Sequence, residues 1–67
     1  MNIRFQPQQH VIDEKDELDQ RRKKLELFYS TSMFHGLPES EQSLLLRQGV
    51  AMRTYSEILG ERIAARL

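Results

Sequence analysis

Residues 30–42, STSMFHGLPESEQ, interrupt a chain that is otherwise rich in helix-forming residues. The hydroxyl residues at the start of this segment weaken a helix arriving from the N-terminal side, and Gly36 is a good helix terminator. Pro38 fits the first turn of a new helix, in which Glu39 and Glu41 are favoured by the helix dipole. The segment therefore predicts a turn between two helices.

The flanking segments predict two long helices, at 8–34 and 38–66, behind an N-terminal arm at 1–7. The first is dominated by Glu, Lys, Leu, Gln and Arg, which are good helix formers. Two helices that are joined by a short turn pack antiparallel. The predicted fold class is therefore all-α, with one antiparallel helical hairpin domain spanning 1–67.

Apolar residues predict where the two helices meet. In the first helix, Val11, Leu18 and Leu25 recur every seven residues and form a thin stripe. Gly49 and Gly60 lie beside the stripe of the second helix, and each destabilises a helix interior by about 1 kcal/mol relative to alanine. Each glycine either lets another backbone approach closely or is merely tolerated. The second stripe, at spacings of three and four, contains Leu45, Gln48, Met52, Tyr55, Leu59 and Ile63.

The second helix has more apolar residues than one contact with the first helix can cover. Leu44, Leu46, Val50 and Ile58 would face water in a monomer. At about 25 cal/mol per Å² of apolar surface, this exposure forfeits several kcal/mol, which is comparable with the stability of a small domain. Because the chain has no cysteine for a disulfide or a thiolate metal site, we expect a homo-oligomeric helical bundle.

Composition and motifs argue against several function classes. Ten acidic and ten basic residues balance, which disfavours DNA binding through a basic field. No apolar run approaches the roughly 20 residues of a membrane span, and the N-terminus lacks a signal-peptide core, so we expect a cytoplasmic protein without membrane contact. The sequence contains no metal-ligand spacing, nucleophile motif or phosphate loop, so we expect neither a cofactor nor enzymatic activity.

Four consecutive cations at 21–24 follow an acidic run and are the first candidates for a binding site. Pairing at i, i+4 with the preceding acids would account for Arg21 and Lys23 but for neither Arg22 nor Lys24. Successive helix residues point 100° apart, so only one or two of the four can reach any one ligand. The run is therefore either a solvated helix face or an anion site.

Polar residues within the second stripe are the next candidates. A buried polar side chain needs a hydrogen-bond partner or costs roughly 1–3 kcal/mol. Gln48 and Tyr55 therefore either fix the register of an oligomer or belong to a polar site that also contains Arg53 and Thr54. His10 and Phe5, near the start of the first helix, either pack or stack on a planar base.

Short motifs follow one another in a characteristic order. VIDEKDELDQRRKKLELF at 11–28 contains VI-x-EK-x-EL and KL-x-x-F, and residues 37–63 contain LP-E, L-x-x-Q-x-x-x-M-x-x-Y and L-x-x-RI. In this order and spacing, covering about residues 5–65, they resemble small phage proteins with the hook domain shared by anti-CBASS and anti-Thoeris sponges. The resemblance implies a counter-defence protein that binds cyclic oligonucleotide second messengers, such as cyclic GMP-AMP, without cleaving them.

The resemblance also implies an assembly and its sites. It implies a homohexamer, a dimer of trimers, in the cytoplasm of the infected bacterium. A dinucleotide site between protomers would use Lys24 for phosphate, supported by Arg21 or Arg22. Where the family often has an aromatic residue, this chain has a proline or a glutamine, so stacking would pass to Phe5 or His10. A three-fold trinucleotide site would contain Arg53, Gln48, Tyr55 and Met52.

Two other interpretations remain beside the sponge. The first is a non-enzymatic helical oligomerisation or adaptor protein that binds another protein. The second is a small nucleic-acid-binding helix, which the neutral charge fits least. Lys24→Ala discriminates between the sponge and the adaptor: it should abolish nucleotide binding by a sponge while leaving the oligomer intact, and should change little in an adaptor.

Overall fold

The computed structural model describes residues 8–65, which form three helices and their connections. Helix α1 spans Gln8–Tyr29, α2 spans Ser32–His35 and α3 spans Glu39–Ala65. Within this range there is no strand, so the predicted all-α class with two long helices is confirmed. The predicted arm at 1–7 and the last residue of the predicted second helix, at 66, lie outside the described residues.

The side chain of Thr31 explains why the first helix ends at Tyr29 rather than at residue 34, where it was predicted to end. Its Oγ1 donates to the Phe28 carbonyl at 2.7 Å and accepts from the Phe34 N–H at 3.2 Å. The hydroxyl thus satisfies a terminal carbonyl of α1 and caps the start of α2. The predicted helix at 8–34 is therefore two helices with a break between them.

The connection into α3 follows the predicted turn closely. Helix α3 begins at Glu39, and the Pro38 carbonyl accepts from the Gln42 N–H at 3.0 Å. The Gln42 side chain donates back to the Leu37 carbonyl at 2.9 Å, which ties the turn to the first turn of α3. Gly36 ends α2 at φ −83°, so it terminates the helix in a right-handed conformation.

Hydrogen bonds between α1 and α3 show that the two helices run antiparallel. Near the start of α1, Gln8 Nε2 donates to the Ile63 carbonyl at 3.0 Å. At its end, Tyr29 Oη donates to the Leu45 carbonyl at 2.7 Å. Residue numbers therefore rise along α1 as those of its partners fall along α3, as the predicted hairpin requires.

The apolar core of the hairpin is small. Val11, Leu18 and Leu59 are buried in it, and Met52 and Ile63 pack against them. The heptad stripe predicted for the first helix therefore supplies two of the three buried members. Each fully buried apolar side chain stabilises the folded state by roughly 1.5–3 kcal/mol, and this core contains only a few of them.

The turn end of the molecule has a separate aromatic cluster. Phe34 of α2 is buried. Its ring centroid lies 5.8 Å from that of Phe28, 5.2 Å from that of Tyr29 and 5.4 Å from that of His35. Tilted and edge-to-face rings at these separations attract one another. Helix α2 therefore closes the end of the hairpin by inserting one ring against the last turn of α1.

The prediction that Gln48 and Tyr55 lie in the stripe facing the first helix is wrong. Both are exposed, and the Tyr55 hydroxyl donates to Glu14 at the edge of the hairpin. Gly49 and Ser56 face α1 in their place. The face of α3 that contacts α1 includes small residues, because long side chains of α1 lie over it. A search for regularly spaced apolar residues does not detect these small residues, and this caused the error.

Much of the apolar surface of α3 faces away from the core. The four residues predicted to face water in a monomer do so in the single chain, with Val50 63% exposed and Leu44 55% exposed. Within the described residues, the exposed large apolar side chains are those of Leu27, Met33, Leu44, Leu46, Val50, Tyr55 and Ile58. Within residues 8–65, no helix is both long enough and apolar enough to cross a membrane.

Candidate functional site

A shallow groove of about 210 Å³ lies between α1 and α3, in the half of the hairpin nearest α2. It is lined by Arg22, Leu25, Glu26, Tyr29, Leu46, Gly49, Val50 and Arg53. Two guanidinium groups thus stand beside aliphatic and aromatic surface. Guanidinium groups bind phosphate through charge-assisted hydrogen bonds and stack on planar rings, so this combination suits an anionic ligand with flat apolar parts.

The groove brings together two arginines that were assigned to different sites. Arg22 comes from the basic run of α1, and Arg53 comes from α3. The i, i+4 pairing considered for the basic run leaves Arg22 without an acid, but in the structure its Nη1 donates to Asp19 Oδ1 at 3.0 Å. Asp19 precedes Arg22 by three residues, a spacing that also brings helix side chains together.

A polar network lies beside the groove and joins the two long helices. Ser56 Oγ of α3 donates to Asp19 Oδ1 at 2.6 Å, and Lys15 Nζ donates to Asp19 Oδ2 at 2.9 Å. Lys15 Nζ also donates to Ser56 Oγ at 3.0 Å. Ser56 is buried, with 2% of its surface exposed, so the network stands between the helices at the edge of the apolar core.

These contacts set the ionisation of Asp19. Hydrogen bonds from Ser56 and then from Lys15 hold the pKa of Asp19 well below its usual range, against the opposing effect of burial. Donors that favour the charged form of a carboxyl lower its pKa. Asp19 is therefore a carboxylate throughout the physiological pH range, and its partners stay oriented around it.

The position of Tyr29 depends on a glycine of the facing helix. A Cβ atom at Gly49 would overlap the Tyr29 hydroxyl. That hydroxyl donates to the Leu45 carbonyl at 2.7 Å, so the ring lies across α3 and forms one wall of the groove. Gly49 therefore makes room for the Tyr29 side chain. The two alternatives from the sequence were a closely approaching backbone and a glycine that is merely tolerated.

Of the other residues predicted for the dinucleotide site, those that the structure describes do not line the groove of their own chain. Lys24 and Arg21 are exposed on α1 and do not line the groove. His10 is exposed near the start of α1, about 18 Å along the helix axis from Arg22 at 1.5 Å per residue. Phe5 lies outside the described residues.

The residues predicted for the three-fold site also point in different directions within one chain. Arg53 lines the groove, whereas Met52 packs against the core. Tyr55 is two positions from Arg53, and therefore about 160° away around α3. Gln48 is exposed, and its Nε2 approaches Met52 Sδ at 3.9 Å. These four residues can surround one ligand only if several protomers contribute them.

The comparison with protein families identifies the group to which the chain belongs. The family model for Sequestin matches residues 6–65, which is nearly the whole chain. The chain belongs to the Sequestin family. This membership confirms the resemblance to a family of phage sponge proteins at the level of the family. No curated protein and no solved structure shows a significant match to this Sequestin chain.

Several residues of the candidate site were missed by the sequence prediction. Tyr29 and Glu26 line the groove, and Lys15, Asp19 and Ser56 form the adjoining network. The i, i+4 spacing of lysine and aspartate in α1 was a visible signal for one ion pair. The serine lies 37 residues from its aspartate partner, so no local pattern could have revealed that contact.

No group of three or more His, Cys, Asp or Glu side chains within residues 8–65 could hold a metal ion.

Proposed function

We propose that the chain sequesters cyclic di- or trinucleotide second messengers, such as cyclic GMP-AMP, and binds them without cleaving them. The family name supports sequestration as the activity. In the cytoplasm of an infected bacterium, this binding would keep the messengers from CBASS effectors, so the chain would act as a phage counter-defence protein. The action requires only affinity, and the proposed mechanism uses no cofactor and no catalytic residue.

The presence of two arginines in the groove is the observation that supports a cyclic oligonucleotide as the ligand. A cyclic oligonucleotide presents phosphates and flat bases close together on one small ring. Arg22 and Arg53 supply charge-assisted donors for phosphate, while Tyr29 and the aliphatic lining supply surface for a base or a ribose. The site thus has a cation on each helix, apolar surface between them and one acidic residue, Glu26.

The size of the groove supports a site that is completed by a neighbouring protomer. Its volume of about 210 Å³ is below the roughly 300–1,000 Å³ of pockets that enclose a drug-sized ligand. One protomer can therefore cover a phosphate and part of a base. We propose that Lys24, Arg21 and His10 reach the ligand from another copy, because none of them lines the groove of its own chain.

The outer face of α3 supports homo-oligomerisation. Leu44, Ala51 and Ile58 recur every seven residues and are exposed, with Gln48 and Tyr55 interposed at spacings of three and four. A repeat of seven is the pattern of a helix that packs against another helix. We propose that copies of α3 pair through this outer seam within a homohexamer built as a dimer of trimers.

Calorimetric titration with a panel of cyclic di- and trinucleotides tests the proposed function. At least one nucleotide should bind with a stoichiometry that fits a site shared between protomers. Heating the complex and separating the released ligand by chromatography should return the nucleotide intact. Hydrolysed product would contradict sequestration, and no binding to any member of the panel would favour the adaptor interpretation.

Charge-neutral arginine variants test the groove itself. Arg53→Gln should weaken nucleotide binding at least tenfold, because a charge-assisted hydrogen bond to phosphate contributes about 1.5–3 kcal/mol. Arg47→Gln removes the same charge from an exposed position on the same helix that does not line the groove, and should change binding less than about twofold. Equal losses in the two variants would show a general charge effect and no phosphate contact at the groove.

A further inference from the structure

Arg22 is held by residues that do not line the groove. Its carboxylate partner, Asp19, accepts from Arg22, Ser56 and Lys15 at distances between 2.6 and 3.0 Å. Ser56 comes from α3 and is buried, so it has no access to a ligand in the groove. The network therefore has one member that faces the groove and three that stand behind it.

We propose that Asp19 and Ser56 are positioning residues, which hold the Arg22 guanidinium ready for phosphate, and that Lys15 offsets the charge of Asp19. This proposal rests on the proposed function, in which the groove binds an anionic nucleotide. It adds a role for three residues that do not contact the ligand themselves.

The hydrogen-bond geometry supports the positioning role. Arg22 donates one Nη1 hydrogen to Asp19, which leaves its Nε and Nη2 edge for a ligand. Asp19 is itself fixed, because Ser56 Oγ binds the same Oδ1 atom at 2.6 Å and belongs to the facing helix. An arginine that is already ordered loses less side-chain entropy on binding, so its affinity for phosphate is higher.

The charges of the network explain why a carboxylate can stand behind a phosphate ligand. Asp19 alone would neutralise Arg22 and weaken its attraction for an anion. Lys15 Nζ lies 2.9 Å from Asp19 Oδ2, so the three groups together carry two positive charges and one negative charge. The network thus retains a net positive charge, and the groove-facing member of the network is Arg22.

The first test measures binding of cyclic GMP-AMP and of a cyclic triadenylate to Asp19→Asn and Ser56→Ala. Each variant should weaken binding about fivefold to tenfold, because an unordered arginine must be immobilised by the ligand. The matched controls are Asp16→Asn and Ser43→Ala, exposed positions on α1 and α3. The sedimentation coefficient and helix content of every variant should equal those of the unmodified protein. If Asp19→Asn fails to fold, Ser56→Ala still tests the proposal, because it retains the Lys15–Asp19 pair.

A double-mutant cycle separates positioning from a general structural defect. If Asp19 acts through Arg22, Asp19→Asn should cause no further loss in a chain that already carries Arg22→Gln. In a chain that carries Arg53→Gln, the same change should cause its full loss. Equal losses in both backgrounds would overturn the proposal, because a structural defect weakens binding whichever arginine remains.

A nuclear magnetic resonance measurement on the ligand-free protein distinguishes failure of this proposal from failure of the proposed function. The Arg22 Nε–H signal should be resolved in the unmodified protein and should merge with those of solvated arginines in Asp19→Asn. An unchanged signal alongside normal nucleotide binding would overturn the positioning role alone. The expected signal change without binding of any nucleotide would overturn the proposed function and support only the ordering of Arg22.

Discussion

Two glycines of α3 have different neighbours, and the difference shows what each residue does. A Cβ at Gly49 would overlap the Tyr29 hydroxyl, whereas a Cβ at Gly60 would lie 3.3 Å from Lys15 Cε. The first neighbour is a ring that is anchored to the Leu45 carbonyl. The second is the methylene chain of a lysine, which can shift by a few tenths of an ångström.

We expect Gly49→Ala to destabilise the protein by about 1–2 kcal/mol. Alanine improves helix propensity by about 1 kcal/mol, but Tyr29 must leave its carbonyl partner and its place against Phe34, and this loss exceeds the gain. Urea unfolding at a fixed protein concentration measures the effect. Gly60→Ala is the matched control and should change stability by less than about 1 kcal/mol; a Gly49→Ala protein as stable as this control would contradict the assigned role.

Glu26 is an acidic residue in a groove that we propose for an anion. Its charge repels phosphate, so Glu26→Gln should strengthen nucleotide binding about two- to fivefold at low salt, and the gain should shrink as salt screens the repulsion. Titration calorimetry at two salt concentrations measures both effects. Glu17→Gln, at an exposed position on the same helix, should leave the affinity unchanged. Weaker binding by Glu26→Gln would show instead that the carboxylate contacts the ligand.

At the scale of the helices, α1 and α3 are joined by a short apolar core and, next to it along the helices, by a polar network. Val11, Leu18 and Leu59 hold the half of the hairpin that contains the start of α1. Asp19 and Ser56 hold the helices together next to this core. The apolar core is small, and the network adds hydrogen bonds between the two helices that depend on the charge of Asp19.

The depressed pKa of Asp19 predicts the direction of this dependence. A carboxyl whose pKa is lower in the folded state contributes stability that is fully present above its unfolded pKa of about 4 and is lost as the pH falls towards the folded pKa. The unmodified protein should therefore lose more stability than Asp19→Asn between pH 5 and pH 2. Thermal unfolding at fixed protein concentration measures this, with Asp16→Asn expected to follow the unmodified protein. Parallel curves for Asp19→Asn and the unmodified protein would refute the assignment.

At the scale of the whole molecule, the single chain leaves much of the apolar surface of its described residues exposed. Four apolar side chains of the described residues are buried, namely Val11, Leu18, Phe34 and Leu59, while more large apolar side chains are exposed than buried. The exposed members of the outer seam recur every seven residues along α3. Covering them would add roughly 1.5–3 kcal/mol for each large side chain that becomes fully buried, which favours association of identical copies.

Ile58→Glu should dissociate the proposed oligomer, because it places a charge within the outer seam, at a large apolar side chain. Sedimentation velocity should show a smaller species than that of the unmodified protein, and nucleotide binding should fall if neighbouring protomers share the site. Ala64→Glu adds the same charge about 120° away around α3 and should leave the assembly intact. An Ile58→Glu protein of unchanged mass would exclude the outer seam as the interface.

The local order of residues determined the helices, the turn and the exposed apolar surface of α3. Proline, glycine and the acidic first turn act within a few residues of their own position, and a heptad of aliphatic side chains identifies a contact face without reference to its partner. Arg22 and Arg53 could be proposed as candidate anion ligands from their positions in the sequence and from the family resemblance. The predicted end of the first helix was wrong because the Thr31 side chain accepts from the Phe34 N–H and donates to the Phe28 carbonyl, so α1 ends five residues earlier, at Tyr29, and α2 begins at Ser32.

Only the packing of one helix on the other decided which residues share a site. Arg22 and Arg53 are separated by 31 positions and meet because the hairpin runs antiparallel, whereas Arg53 and Tyr55 are near neighbours in sequence and point apart. Ser56 and Gly49 face α1 because small side chains leave room for Lys15 and Tyr29, and this fit depends on the shapes of both surfaces at once. Sequence spacing describes one helix at a time, and a contact between two helices depends on both.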